Sequence, residues 1–335
     1  MQRRQPSGVY LKRRAGFLTV LAVLVAGGFA LASCGRAARP SSPTRVARSA
    51  SPATPVSAVG DAGPAHTEPA PPPPPPALAV RPATPASGWR AVAFVHGRPA
   101  AWVAQRAGVT MLRFDQASAR LNLHAGSADG GTGGWRYGDQ IEPSEIHHVI
   151  AGFNGGFKFT YPGVGFLSGA RVALALKPGL ASIVTYTDGT TDVGAWREGV
   201  PSPQRHVYSV LQNQRLLVDR GAVAANAASC VSACWGETIK GLTSVARSGL
   251  GVTANGQLVW AAGESLLPSD LGRALVSAGA VRAIELDINP DWVAGYLYEH
   301  HPSGPLPVPV VAGQIGIAGQ LLQPYSRDFM TIVAR

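Results

Sequence analysis

The chain has little cysteine, with Cys34, Cys230 and Cys234 as the three among 335 residues. It also lacks a second Cys or His pair at zinc-like spacing. Cys230-Val231-Ser232-Ala233-Cys234 therefore leaves a tetrahedral zinc site half built, and reads instead as a local disulfide. No Gly-x-Ser-x-Gly elbow is present. The glycine-rich segment 126–135 lacks the Gly-Lys-Ser/Thr of a phosphate loop and reads as a flexible loop or lid. There is no internal repeat that would build an array. A basic excess is also missing where it would matter. The formal charge is +10, but eleven of the 29 Lys and Arg and two of the 19 acids lie in residues 1–90, leaving eighteen bases against seventeen acids in the rest. A near-neutral domain has no electrostatic footprint for a polyanion, so nucleic acid is not an expected partner. His147-His148 and His300-His301 are adjacent pairs whose side chains diverge on a strand, so no metal is expected, and no cofactor.

What is there begins with an export signal. Lys12-Arg13-Arg14 precedes nineteen uncharged residues, 15–33, and then small residues before Cys34. Leu31-Ala32-Ser33-Cys34 resembles a bacterial lipobox, which implies lipidation at Cys34. An uncleaved signal anchor is the competing reading, because roughly 20 apolar residues span a bilayer. Either way the expected location is the cell envelope, outside the cytoplasm and anchored to the membrane by the N-terminus. An oxidising space of that kind favours the Cys230–Cys234 bridge. Residues 35–87 are rich in Pro, Ala and Ser, with the proline run 71–76, and bury too little apolar surface to offset ordering entropy. They read as an extended tether.

Residues 88–335 are long enough for a single large domain. Short β-branched or alternating runs recur between turn signals, at 91–95, 101–104, 110–114, 148–153, 171–176, 182–187, 207–211, 216–218, 250–253, 258–261, 283–286 and 329–333. Asn255-Gly256 and Asp188-Gly189 are two-residue hairpin signals of the type I′ kind. The best helix starts at Ser269 or Asp270, carries Leu271, Ala274, Leu275 and Ala278 on one face, and stops at Gly279. It feeds the apolar run 281–286, which ends in polar residues. The expected fold class is α+β: a strand-dominated mixed sheet with a few helices packed on it, and a site at a strand's C-terminal end.

Three segments are polar where a core would be apolar. Asn154-Gly155-Gly156-Phe157-Lys158 ends an apolar strand in a double glycine, whose amides suit an anionic or hydroxylated ligand; a tight turn is the plainer reading. Arg247 opens the glycine-spaced strand Ser248-Gly249-Leu250-Gly251, where its guanidinium offers a fork to a phosphate or pairs with a neighbouring acid. Glu285-Leu286-Asp287-Ile288-Asn289-Pro290-Asp291 puts three carboxylates and an amide in seven residues. Alternation places Glu285 and Asp287 on one face, for proton transfer or as turn caps.

The order of these segments resembles the phosphodiester glycosidase family, whose animal member removes N-acetylglucosamine from a phosphodiester and whose bacterial members are exported, exopolysaccharide-related envelope proteins. The matching pieces are Asn154-Gly155-Gly156-Phe157, Arg247 to Gly251 with Asn255-Gly256, the helix 271–278, Glu285-Leu286-Asp287, and Arg327 before the run 329–333. The resemblance covers 149–335. It implies a hydrolase of a glycosyl phosphodiester or related envelope glycan. Asp287, Glu285 and Arg247 would then be catalytic, and Asn154, Gly155, Gly156, Lys158, Asn289 and Asp291 would contact a carbohydrate or sugar-phosphate substrate. After Asp287 the family has glycines and a serine, whereas this chain has Ile288-Asn289-Pro290-Asp291, and Pro290 offers no N–H. That departure supports the rival reading of a non-catalytic glycan-binding or wall-organising lipoprotein.

Overall fold

The computed structural model of the chain describes residues 88–131, 133–238 and 241–335. The expected signal segment, Cys34 and the expected tether lie outside the described residues. No helix among the described residues is long and apolar enough to cross a membrane.

The described residues build three sheets. The largest has the order β1 (Arg90–Val95), β2 (Arg98–Arg106), β3 (Val109–Phe114), β14 (Leu258–Leu266), β13 (Val245–Thr253), β15 (Ala280–Glu285), β11 (Leu216–Asp219), β12 (Ala222–Val223). A second runs β17 (Gly304–Pro309), β16 (Gly295–His301), β5 (Val149–Asn154), β18 (Phe329–Ala334), β4 (Ala119–His124). A third runs β7 (Arg171–Leu174), β6 (Val164–Ser168), β10 (Val207–Asn213), β8 (Ala181–Tyr186), β9 (Thr191–Ala195). Among the described residues the α-helices are a single turn, α1 (Val231–Trp235), and α2 (Pro268–Ser277).

The expected α+β mixed sheet is therefore incorrect. All three sheets are antiparallel and the fold is β-rich. The apparent α/β signal has a physical origin. α2 crosses from β14 to β15, two strands that run the same way, as a parallel crossover does. The slot between them is filled by β13, which pairs antiparallel with both. A helix-then-strand pattern in sequence does not reveal that the neighbouring position is already taken.

α2 begins with Pro268 in its first turn, and Asp270 reaches back so that its Oδ2 accepts the Leu267 N–H over 2.9 Å. Leu271 and Leu275 bury completely against the large sheet. The glycine spacing of β13 permits this approach, since a Cβ on Gly249 would stand 3.1 Å from Leu275 Cδ1 and 2.8 Å from the Ile284 carbonyl oxygen. The two hairpins close through three-residue loops, Thr253 N–H donating to Gln257 O and Tyr186 N–H to Thr190 O. Neither Asn255 nor Asp188 takes the positive φ that a type I′ turn requires of both central residues.

The main core lies where the three sheets meet. Phe153 of β5 stacks between Phe114 of β3 and Trp260 of β14, with Phe166, Ile183, Leu211, Leu250 and Met330 in the same cluster. Packing of this kind fixes the strand ends, from which the polar residues project.

Candidate active site

Four strand ends converge: the C-terminal end of β5, the early part of β13, the chain just past β15 and the chain just before β18. Asn154, the last residue of β5, donates through Nδ2 to Ser248 Oγ (2.8 Å) and to the Gly155 carbonyl (2.9 Å). Ser248 Oγ donates in turn to the Asp287 carbonyl (3.2 Å). The Asp287 N–H reaches the Gly155 carbonyl over 3.1 Å. Asn154 and Asp287, 133 positions apart in sequence, are thereby tied together.

Beside them the chain turns irregular. Leu286 N–H donates to Ser248 O while Ser248 N–H donates to Asp287 O. Two successive residues thus oppose one, a pairing of the β-bulge type that re-aims side chains. The Glu285 and Asp287 carboxylates, which alternation places together, take different partners. Glu285 Oε1 accepts from Arg247 Nη1 at 2.7 Å, and both side chains are 0% exposed. Arg247 also donates to the carbonyls of Leu266, Trp235 and Thr243. The arginine with which the sequence suggested a phosphate clamp is sealed inside, with an acid as its partner. Desolvation outweighs the pull of Arg247 and lifts the Glu285 carboxyl to about 7.

The arginine at the convergence is Arg327. Its Nη2 donates to the Gly156 carbonyl (2.9 Å) and lies 3.3 Å from Asp287 Oδ2, while Nε pairs with Asp129 Oδ2 (2.5 Å). Asp328 Oδ1 is 3.7 Å away. Arg327 Nη1 is buried with no partner, as is Asp328 Oδ1. The Trp292 ring lies 5.4 Å from the guanidinium carbon, and Tyr325 meets that ring edge-on at 6.2 Å. Asp287, Arg327 and Asp129 side chains are 7%, 6% and 8% exposed. Water reaches this group but not the Arg247–Glu285 pair.

Three carboxylates around one guanidinium cannot all be charged cheaply in a place this dry. Burial pushes Asp287 up to about 6, against the opposing pull of Arg327 and of the Ile288 and Asn289 N–H groups that donate to its Oδ1. Burial, with Asp129 and Asp287 nearby, pushes Asp328 up to about 8. The place a cation would take among these acids is held by Arg327 itself. Among the described residues no three His, Cys, Asp or Glu side chains are grouped to hold a metal ion.

The other sequence candidates fall as follows. Gly155 and Gly156 sit inside the cluster, but their N–H groups donate to the Asp328 carbonyl (3.0 Å) and Asp328 Oδ2 (2.9 Å) rather than standing free. The closeness is why Gly155 carries no side chain: a Cβ there would lie 2.4 Å from Asp328 Cγ. Asn289 is half-buried, its Oδ1 accepting the Asp291 N–H (3.0 Å), while Lys158 and Asp291 are exposed at the rim. Cys230 and Cys234 are bridged across α1. Asp129, Asp328, Ser248, Trp292 and Tyr325 escaped the sequence reading. Asp129 lies in the glycine-rich segment taken for a flexible loop or lid, but that backbone is pinned there, Ser127 N–H donating to Tyr325 O and Ala128 N–H to Ser326 O. Grooves against β3 and α2, lined by Arg106, Met111 and Ser277, contain no residue of this cluster.

No family model matches the chain, and no curated protein does. Among solved structures, the catalytic domain of zebrafish N-acetylglucosamine-1-phosphodiester alpha-N-acetylglucosaminidase, described as auto-inhibited by its pro-peptide, aligns at 12% identity and TM-score 0.43, covering 70% of this chain and 78% of that one. A hypothetical protein from Synechocystis aligns at 11% and 0.36, covering 72% and 63%. A protein of Burkholderia pseudomallei described as exported aligns at 12% and 0.25, covering 70% and 75%. The likeness is distant, and no assignment of a site residue rests on it.

Proposed function

We propose that this chain is an exported, membrane-tethered hydrolase of a glycosyl phosphodiester or a related envelope glycan linkage. The observation that carries the reading is the Arg327 guanidinium, held by Asp129 and Asp287 with Nη1 left unpartnered beside carboxylates that are 8% and 7% exposed. A fixed guanidinium with a free N–H suits a phosphate oxygen. In this reading the phosphate role suggested for Arg247 belongs to Arg327. Arg247 and Glu285 are positioning residues that hold the ends of β13 and β15.

The chemistry follows from the protonation states. Asp287, ionised above about pH 6, takes a proton from water as the water oxygen bonds to the anomeric carbon. The bond from that carbon to the phosphate oxygen breaks, and its electron pair leaves on the phosphate, whose charge Arg327 offsets. A phosphate leaves readily and needs no strong acid behind it. Asn154 fixes the Asp287 backbone through Ser248. The motifs shared in order with phosphodiester glycosidases support this reading, as do the export signal and lipobox-like Cys34.

One observation favours the competing reading, a glycan-binding lipoprotein without turnover. Asp287 Oδ1 already accepts two backbone N–H groups, and the side chain is 7% exposed. Incubating the purified protein with sugar phosphodiesters and with wall polymers separates the two. Released sugar supports the hydrolase, and retained binding without release supports the lipoprotein.

A further inference from the structure

Around Arg327 lie four buried polar atoms without a partner: Arg327 Nη1, Asp328 Oδ1, Trp292 Nε1 and Tyr325 OH. Native proteins leave few such atoms, and each calls for water or a ligand to complete it. The set is mixed in kind. Nη1 and the indole Nε1 only donate, whereas the tyrosine hydroxyl and the aspartate oxygen can accept. A phosphate oxygen meets the two donors, while the tyrosine hydroxyl and the Asp328 carboxyl suit a partner that can both donate and accept. A ring bearing hydroxyl groups offers both.

The aromatic groups add a shape. Trp292 is half-buried, its ring lies 5.4 Å from the guanidinium carbon of Arg327, and Tyr325 meets it edge-on with planes at 72°. Its position is fixed by a tight turn in which Trp292 N–H and Val293 N–H both donate to Asn289 O over 2.9 Å. A rigid indole beside a cation presents an apolar surface on which the C–H face of a sugar packs.

We infer that Trp292 and Tyr325 form the sugar-facing wall of this site, Trp292 stacking on a pyranose and donating from Nε1 to a hydroxyl while Tyr325 OH pairs with a second. The inference rests on the hydrolase reading for the phosphate at Arg327, and adds which part of the substrate is discriminated and by what. It gives a role to the stretch Ile288-Asn289-Pro290-Asp291, which replaces glycines in the resembling family: the turn delivers an aromatic side chain rather than backbone amides.

The test is calorimetric titration of the full chain with α-glucose 1-phosphate and with inorganic phosphate. Wild type is expected to bind the sugar phosphate roughly tenfold tighter than phosphate. Trp292→Ala should reduce that preference to about threefold or less, with phosphate affinity held, and Trp292→Phe should fall between. Tyr325→Phe deletes one oxygen and should lower the preference while leaving packing intact. If Trp292→Ala loses both ligands through misfolding, Tyr325→Phe decides. A full preference in Tyr325→Phe together with Trp292→Phe overturns the wall. Failure of the underlying reading looks different: wild type binds no phosphate, or Arg327→Lys leaves phosphate affinity unchanged, and either result overturns both.

Discussion

Arg247 Nη1 and Glu285 Oε1 stand 2.7 Å apart with neither side chain exposed, so the arginine that the sequence offers most openly to a ligand is bound to a neighbour on the next strand. Its remaining N–H groups reach three backbone carbonyls, which ties β13 to α1 through Trp235 and to the segment before β13 through Thr243. Breaking such a pair from either side has unequal consequences. Arg247→Met strands three carbonyls and a carboxyl, and should cost about 3–5 kcal/mol. Glu285→Gln should cost less, because a carboxyl lifted to about 7 already carries its proton about half the time at that pH. Urea unfolding at pH 7 measures both, and equal losses would contradict the asymmetry.

Asp287→Asn removes the proposed base while keeping its size and its contacts with the Ile288 and Asn289 N–H groups. Turnover should fall by a factor of 100 or more, with the unfolding midpoint little changed. In wild type, log kcat/KM should rise with unit slope as pH increases towards 6 and flatten above it, since the ionised carboxylate is the active form. A rate indifferent to the substitution, or one that falls through pH 6, would remove Asp287 from the mechanism.

What the sequence discloses of this site is what lies close together in the chain. Asn154 and Asp287 end apolar runs, and a polar residue at the end of an apolar run reads as a strand end facing a site. The strand–helix–strand order around α2 is equally visible, yet it suggested a mixed sheet because nothing local says that β13 occupies the intervening slot. The Arg327–Asp129 pair joins residues 198 positions apart, and Asp129 stands in a glycine-rich segment with every mark of a loose loop. The choice between Arg247 and Arg327 was not legible either. Both stand near the start of a strand, Arg247 inside β13 and Arg327 just before β18, and only the packed sheets decide which one water reaches. The bulge at Leu286 and Asp287 defeats period-2 reasoning at the position where the chemistry needs it.

Asp328 makes stability fall as pH rises. Its carboxyl is lifted to about 8 in the folded chain, against about 3.9 unfolded. Between those values the folded chain keeps a proton that the unfolded chain has released, so raising pH favours unfolding throughout that window. Asp328→Asn, a neutral mimic of the protonated acid, should be insensitive there. The melting temperature of the variant relative to wild type should climb between pH 4.5 and 8. A constant difference would show that Asp328 is ionised in the fold.

Glu145 has the opposite sign. It accepts from Asn122 Nδ2 (2.9 Å) and Thr331 Oγ1 (2.6 Å) and lies 3.1 Å from His124 Nε2, beneath the Phe329 ring that stacks on that imidazole at 4.1 Å. Burial alone would raise the carboxyl, yet His124, Asn122 and Thr331 hold it down to about 2. A depressed pKa stabilises the fold above the unfolded value, near 4.3, and the contribution fades as pH falls towards 2. Glu145→Gln should therefore cost on the order of 3 kcal/mol at pH 7 and progressively less below pH 4. Phe329, the first residue of β18, directly follows Asp328, so the loss should also loosen Arg327 and weaken phosphate binding at pH 7. Chemical denaturation at pH 3 and pH 7, paired with phosphate titration, tests both effects. A variant as stable as wild type at pH 7 would mean that the network contributes no net stability.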